Sequence, residues 1–200
     1  MIEENSGKIY QFKLEHNFGF AYCELTDFTD ITKFSGKLVS VFSFIESKVH
    51  ANPDIEQIVH SPLLFGPHPL LKFPNIKGKG AWKFIGKLKK ISIPNIIFKD
   101  VRDNHTNKDW TKLKGWHRVK DFEVVGEDCD YEEVRNLELP VLYGMKEIEM
   151  RTTMQLLLMN KKSIKDYYDL RDFHVRNIYI QTVNTSFCLS DANKYLNEID

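Results

Sequence analysis

The 200-residue sequence predicts an α+β fold: an antiparallel, β-rich N-terminal part (residues 6–126), a twisted sheet or small partial barrel, with a helix-rich C-terminal part (residues 127–200) packed on it as a single domain, 1–200. Three observations predict it. Apolar residues recur with period two through the first half, the spacing changes to three and four after Gly126, and the strand-like segments are grouped rather than alternating with helices. Such grouping argues against a parallel βαβ sheet. With 42% hydrophobic and 12% aromatic residues, a chain of this length can bury a proper core.

Taken in order, KIYQFKLE places Ile9, Gln11, Lys13 and Glu15 on one face of a strand and Tyr10, Phe12 and Leu14 on the other. His16-Asn17-Phe18-Gly19 supplies turn chemistry, and FAYCEL returns as the second arm of a hairpin. Phe34-Ser35-Gly36-Lys37 is the next turn candidate, before Leu38 to Ile45, which are apolar on both faces apart from Ser40 and Ser43 and so read as a central strand. Pro53, Pro62, Pro67, Pro69 and Pro74 make SPLLFGPHPLLKFP a broken edge segment or ordered loop. In GKGAWKFIGKLKK, Trp82, Phe84, Gly86 and Leu88 share one face while Lys83, Ile85, Lys87 and Lys89 share the other: a half-buried strand with a lysine-lined outer face. ISIPNIIFKDV continues the sheet, with Pro94 at a bulge or edge, and His117 to Gly126 is one further strand beyond a polar loop.

The helical part opens with DYEEVRNL, where Tyr131, Val134 and Leu137 are spaced by three and acids occupy the first turn, until Pro140 stops it. Met150, Met154, Leu157 and Leu158 line one face of the strongest helix, EIEMRTTMQLLLMN. Ser163 with Asp166 resembles a capping box. The β-branched and aromatic content of His174 to Val183 predicts a late strand, and Ser190 caps a last helix, DANKYLNEI.

Net charge is zero but unevenly spread: residues 72–120 carry 14 Lys or Arg against 3 acids, and residues 121–149 carry 10 acids against 2 bases. A basic and an acidic segment side by side either pair with each other or steer charged partners. The longest strongly apolar run, Leu38 to Ile45, is far below the ~20 residues of a membrane span, so no membrane partner is expected. MIEENSGKIY lacks the features of a secretory signal, and Cys23, Cys129 and Cys188 are scattered, so a cytoplasmic protein with reduced thiols is expected.

No high-specificity catalytic or cofactor motif occurs, and no cofactor is expected. The histidines at 16, 50, 60, 68, 105, 117 and 174 include no pair at close metal-ligand spacing, and the cysteines offer none. The acids Glu127, Asp128, Asp130, Glu132 and Glu133 lack the turn glycine of a calcium loop and read as a solvated helix start or a partner-facing patch. Glycines 78, 80 and 86 fit no dinucleotide fingerprint, and no Gly-x-Ser-x-Gly elbow is present. Asp103, Asn104 and His105, with His117 downstream, hold the ingredients of a small metal-dependent nuclease or hydrolase, although the same residues make an ordinary turn-rich loop. The basic segment 72–120 offers Lys79, Lys83, Lys87, Lys89 and Lys90 to phosphates, an alternative reading as a nucleic-acid-binding module. Against it, base-stacking proteins put aromatics on the same exposed face as their basic residues, and here the two alternate.

Three segments, GKIYQFKLEHNFGFAYCEL, LVSVFSFIES and PLLFGPHPL leading to GAWKFIGKL, resemble the immunity protein 26 family of bacterial polymorphic toxin systems over residues 6–90. A glycine before the first strand, the Phe18-Gly19-Phe20 element on the second and a tryptophan strand ending at Gly86 carry the resemblance. It implies a non-enzymatic, cytoplasmic protein that blocks a cognate toxin by occlusion, with no catalytic or metal residues. If that toxin is a nuclease with a basic groove, the expected contact surface is Glu127, Asp128, Asp130, Tyr131, Glu132 and Glu133, an aromatic anchor among carboxylates.

Overall fold

The computed structural model describes residues 6–27, 36–50, 52–88, 96–102, 108–120, 123–185, 195–196 and 199. The fold is α+β and divides into two compact units, residues 1–96 with 141–149 and residues 97–140 with 150–200.

The first unit is built from β1 (Lys8–Lys13), β2 (Phe20–Asp27), β3 (Lys37–Glu46), α1 (Ile55–His60), β4 (Leu63–Leu70) and β5 (Lys83–Lys87). Its five-stranded antiparallel sheet runs β4-β3-β2-β1-β5. The expected β1–β2 hairpin forms, with Tyr10 opposite Cys23. Gly19 is required at its turn: φ is +107°, and a Cβ there would lie 2.2 Å from the Glu46 carbonyl oxygen. β1 is paired on both edges, and Ile9 to Phe12 are buried on both faces rather than one, so that Gln11 meets its polar need by donating to the Tyr22 hydroxyl at 2.5 Å. β3 is central, as its two apolar faces predict. The proline-rich segment is an edge strand, β4, whose pairing with β3 is interrupted by two register shifts.

β5 departs from strict alternation. Between Ile9 and Tyr10 the register against β5 skips Ile85, a bulge that turns this side chain onto the core of Ile9, Tyr22, Phe42 and Ile58 and leaves Phe84 47% exposed. Trp82, just before the strand, is buried, stacks on Phe12 at 4.8 Å between ring centroids and donates to Glu149 Oε1 at 2.9 Å. α1 is not legible as a periodic pattern; it is one short helix capped by Asp54, whose carboxylate accepts from the Glu56 and Gln57 amides.

The second unit holds β6 (Phe98–Val101), β7 (Trp116–Lys120) and β8 (Glu123–Cys129) in a separate antiparallel sheet of order β6-β7-β8, with α2 (Tyr131–Val134), most of α3 (Met145–Met159) and α4 (Phe173–Thr185). The IIFKDV segment therefore opens a new sheet instead of continuing the first. The single strand expected over 117–126 is two antiparallel strands, β7 and β8, with Lys120 paired to Glu123. His174 to Val183 is helical, not extended. Asp172 accepts from the Val175 amide at 3.0 Å to start α4, and Ile178, Tyr179, Ile180, Thr182 and Val183 are buried along it. Burial overrides their β propensity, and a short apolar run cannot by periodicity alone be told from a strand.

α3 forms where expected, but the burial is broader than one apolar face, since Arg151, Thr152, Thr153 and Gln155 are buried with Met154, Leu157 and Leu158. Arg151 donates to both Glu138 oxygens, at 2.8 and 2.7 Å, and to Thr185 Oγ1 at 2.9 Å. The Ser163 signal opens only one 3-10 turn, Ile164–Asp166. The last helix lies mostly outside the described residues; of it, Leu196 is buried and the Tyr195 carbonyl accepts from the Tyr179 hydroxyl. Among the described residues no helix is long and apolar enough to cross a membrane.

Candidate functional site

The acidic segment runs from the end of β8 into α2, and the local fold dictates its shape. Gly126, at φ +80°, lies where the β7–β8 register breaks between Trp116 and Arg118, so the chain bends before Glu127 and Asp128. Asp130 then caps α2, and its amide donates to Glu133 Oε1 at 3.2 Å in a capping box. Glu127, Asp128, Asp130, Glu132 and Glu133 are all exposed. Tyr131 is not. Its ring is 6% exposed in the core with Trp116, at 5.2 Å, and its hydroxyl donates to the Asn184 carbonyl. The residue expected as a surface anchor is thus the internal peg that fixes α2 to α4.

Three arginines meet this acidic face without neutralising it. Arg102 pairs with Asp128 at 3.0 Å, Arg118 with Glu133 at 3.4 Å and Arg135 with Glu132 at 3.5 Å. Glu127 has no ion-pair partner among the described residues. A groove of about 910 Å³ beside the segment is lined by Lys112 and Lys114 as well as by Asp128, Asp130, Glu132 and Glu133.

Beneath it lies a feature the sequence did not announce. Lys99 is fully buried, with its Nζ 5.3, 5.8 and 5.2 Å from the ring centroids of Trp110, Trp116 and Tyr131 and donating to the Arg135 carbonyl at 2.7 Å. Burial lowers its ammonium to about 7, Glu138 pulls it back up, and Arg151 and Arg135 add to the fall. Asn184 closes the box by donating to the Lys108 and Ile180 carbonyls and accepting from the Trp110 amide. Only the two tryptophans downstream of the lysine-bearing β6, Trp110 and Trp116, could have signalled it, and they stand in a segment that reads as a loop.

The remaining candidates do not converge. Asp103, Asn104 and His105 lie outside the described residues, and His117 is buried with Nδ1 3.1 Å from the Gly115 carbonyl oxygen. Among the described residues no group of three or more His, Cys, Asp or Glu side chains could hold a metal ion. Lys79, Lys83 and Lys87 are exposed, Lys83 donating to the His50 carbonyl, while Lys89 and Lys90 lie outside the described residues. Cys23 and Cys129 are free thiols, and burial pushes both up.

A family model described as immunity protein 26 matches residues 5–112, which takes in the whole first sheet, β6 and Trp110. No curated protein and no solved structure matches the chain.

Proposed function

The chain belongs to the immunity protein 26 family, and from that premise we propose that it binds a cognate bacterial toxin protein in the cytoplasm and neutralises it by occlusion, without catalysis of its own. The family match over residues 5–112 carries this reading. Glu127, Asp128, Asp130, Glu132 and Glu133 are the proposed contact surface, suited to the basic groove of a nuclease toxin, because complementary potentials speed encounter and reject wrong partners. Tyr131 supports that surface from inside rather than touching the partner. The test is a pull-down with a catalytically dead form of the proposed toxin partner, sought among the products of neighbouring genes, using wild type and a variant with all five acids changed to lysine. Stoichiometric capture by wild type and at least tenfold weaker capture by the variant are expected. Equal capture by both would discard the acidic surface, and no capture by wild type would discard the toxin reading.

A second reading rests on a different observation. Lys72, Lys77, Lys79, Lys83 and Lys87 are exposed around an edge strand on which Phe84 is also 47% exposed, an arrangement that suits nucleic acid. Binding to single-stranded DNA or RNA that falls steeply with salt supports it; no binding at low salt removes it.

A further inference from the structure

Among the described residues, β8 is the outer strand of its sheet, and its residues from Glu123 to Asp128 are exposed. Adjacent residues of a strand point to opposite faces, so exposure of both Val124 (57%) and Val125 (43%) leaves neither face covered, and every residue from Glu123 to Asp128 is exposed. The opposite edge differs: on β6, Phe98, Lys99 and Val101 are buried. Two adjacent valines in an outer strand have high β propensity, both are more than two-fifths exposed, and an exposed edge of this kind is a template for pairing with another chain.

The charges decide which chain. Glu123, Glu127 and Asp128 lie on β8 itself, Asp130 follows it, and the strand carries no lysine or arginine. Pairing of β8 with β8 of a second copy would bring these carboxylates together, which is how natural edges avoid self-association. The same carboxylates favour an extended segment bearing lysine or arginine, whose cross-strand neighbours would then be of opposite sign. Arg102 and Arg118 occupy only Asp128 and Glu133, so Glu127 is left to answer a partner's cation.

We propose that the partner is held by strand addition: a basic, extended segment of the toxin pairs along the outer edge of β8, with Val124 and Val125 packing against its apolar side chains and the acids flanking its cations. This mode of contact rests on the toxin-binding reading and specifies it. Backbone pairing supplies affinity, and the charges choose the partner.

Hydrogen–deuterium exchange of the full chain, with and without the catalytically dead form of that toxin partner, tests it. On complex formation, amides in residues 123–128 are expected to slow by about tenfold or more. The double variant Val124→Ser/Val125→Ser, altered only at exposed positions, is expected to bind about tenfold more weakly while its thermal melt matches wild type. Toxin binding with unchanged exchange over 123–128, or full affinity in the serine variant, overturns strand addition and leaves the toxin reading standing. Absence of toxin binding altogether overturns both.

Discussion

Lys99 offers a measurable consequence of the fold. Its ammonium is buried among Trp110, Trp116 and Tyr131, near Glu138, Glu132, Arg135 and Arg151, and lies at about 7 instead of 10.5, a gap worth about 5 kcal/mol. The sign follows from proton counting. Below pH 7 the amine is charged in both folded and unfolded chains and the whole burial cost is present. Above pH 10.5 it is neutral in both and the cost has vanished. Within that window the unfolded chain holds more protons, so stability rises with pH. From pH 7 to pH 9 the gain is about 2 kcal/mol. Lys99→Met keeps the length of the side chain and packs sulfur against the rings, but has no proton to lose. Chemical denaturation of both proteins, followed by tryptophan fluorescence, gives the two unfolding free energies at each pH. Titrations of Cys23, Tyr22 and the other thiols and phenols are common to both and cancel. Relative to Lys99→Met, wild type should gain about 2 kcal/mol between pH 7 and 9. An unchanged or widening deficit would show that the buried lysine is not the titrating group.

Two further substitutions probe the units separately. Gly19→Ala forces a Cβ to 2.2 Å from the Glu46 carbonyl oxygen at a φ of +107°, and should cost about 3 kcal/mol, lowering Tm by roughly 10 °C in a thermal melt. Arg151→Met leaves the buried Glu138 carboxylate without its two-point partner and should cost about 3–5 kcal/mol by denaturant titration, with Arg151→Lys recovering only part because an ammonium cannot reproduce the paired contact.

The first unit was largely legible in the sequence because its strands announce themselves through alternation and its turns through chemistry: Gly19 falls where the hairpin demands it, and the two apolar faces of Leu38 to Ile45 mark a central strand. What alternation could not show was the bulge at Ile85, since one extra residue reverses the face of everything beyond it. In the second unit, the spacing of Tyr131, Val134 and Leu137 and the acids of the first turn mark α2, and the capping box of Asp130 and Glu133 appears only in the structure. α4 is not legible as a helix because Ile178, Ile180 and Val183 carry β-branched side chains whose burial, not propensity, makes them helical. At the candidate site the acids were legible as exposed charge. Tyr131 was not legible as core, because a tyrosine among acids looks alike on a surface and as a peg beneath it. Lys99 and the exposed edge of β8 depend on tertiary placement, which no local pattern records.

Growth rescue tests the central claim most directly: cells producing an active form of the proposed toxin partner, sought among the products of neighbouring genes, are grown with and without this protein. The account predicts growth equal to that of toxin-free cells when the protein is present, and arrest when it is absent. Arrest despite ample folded protein would contradict it.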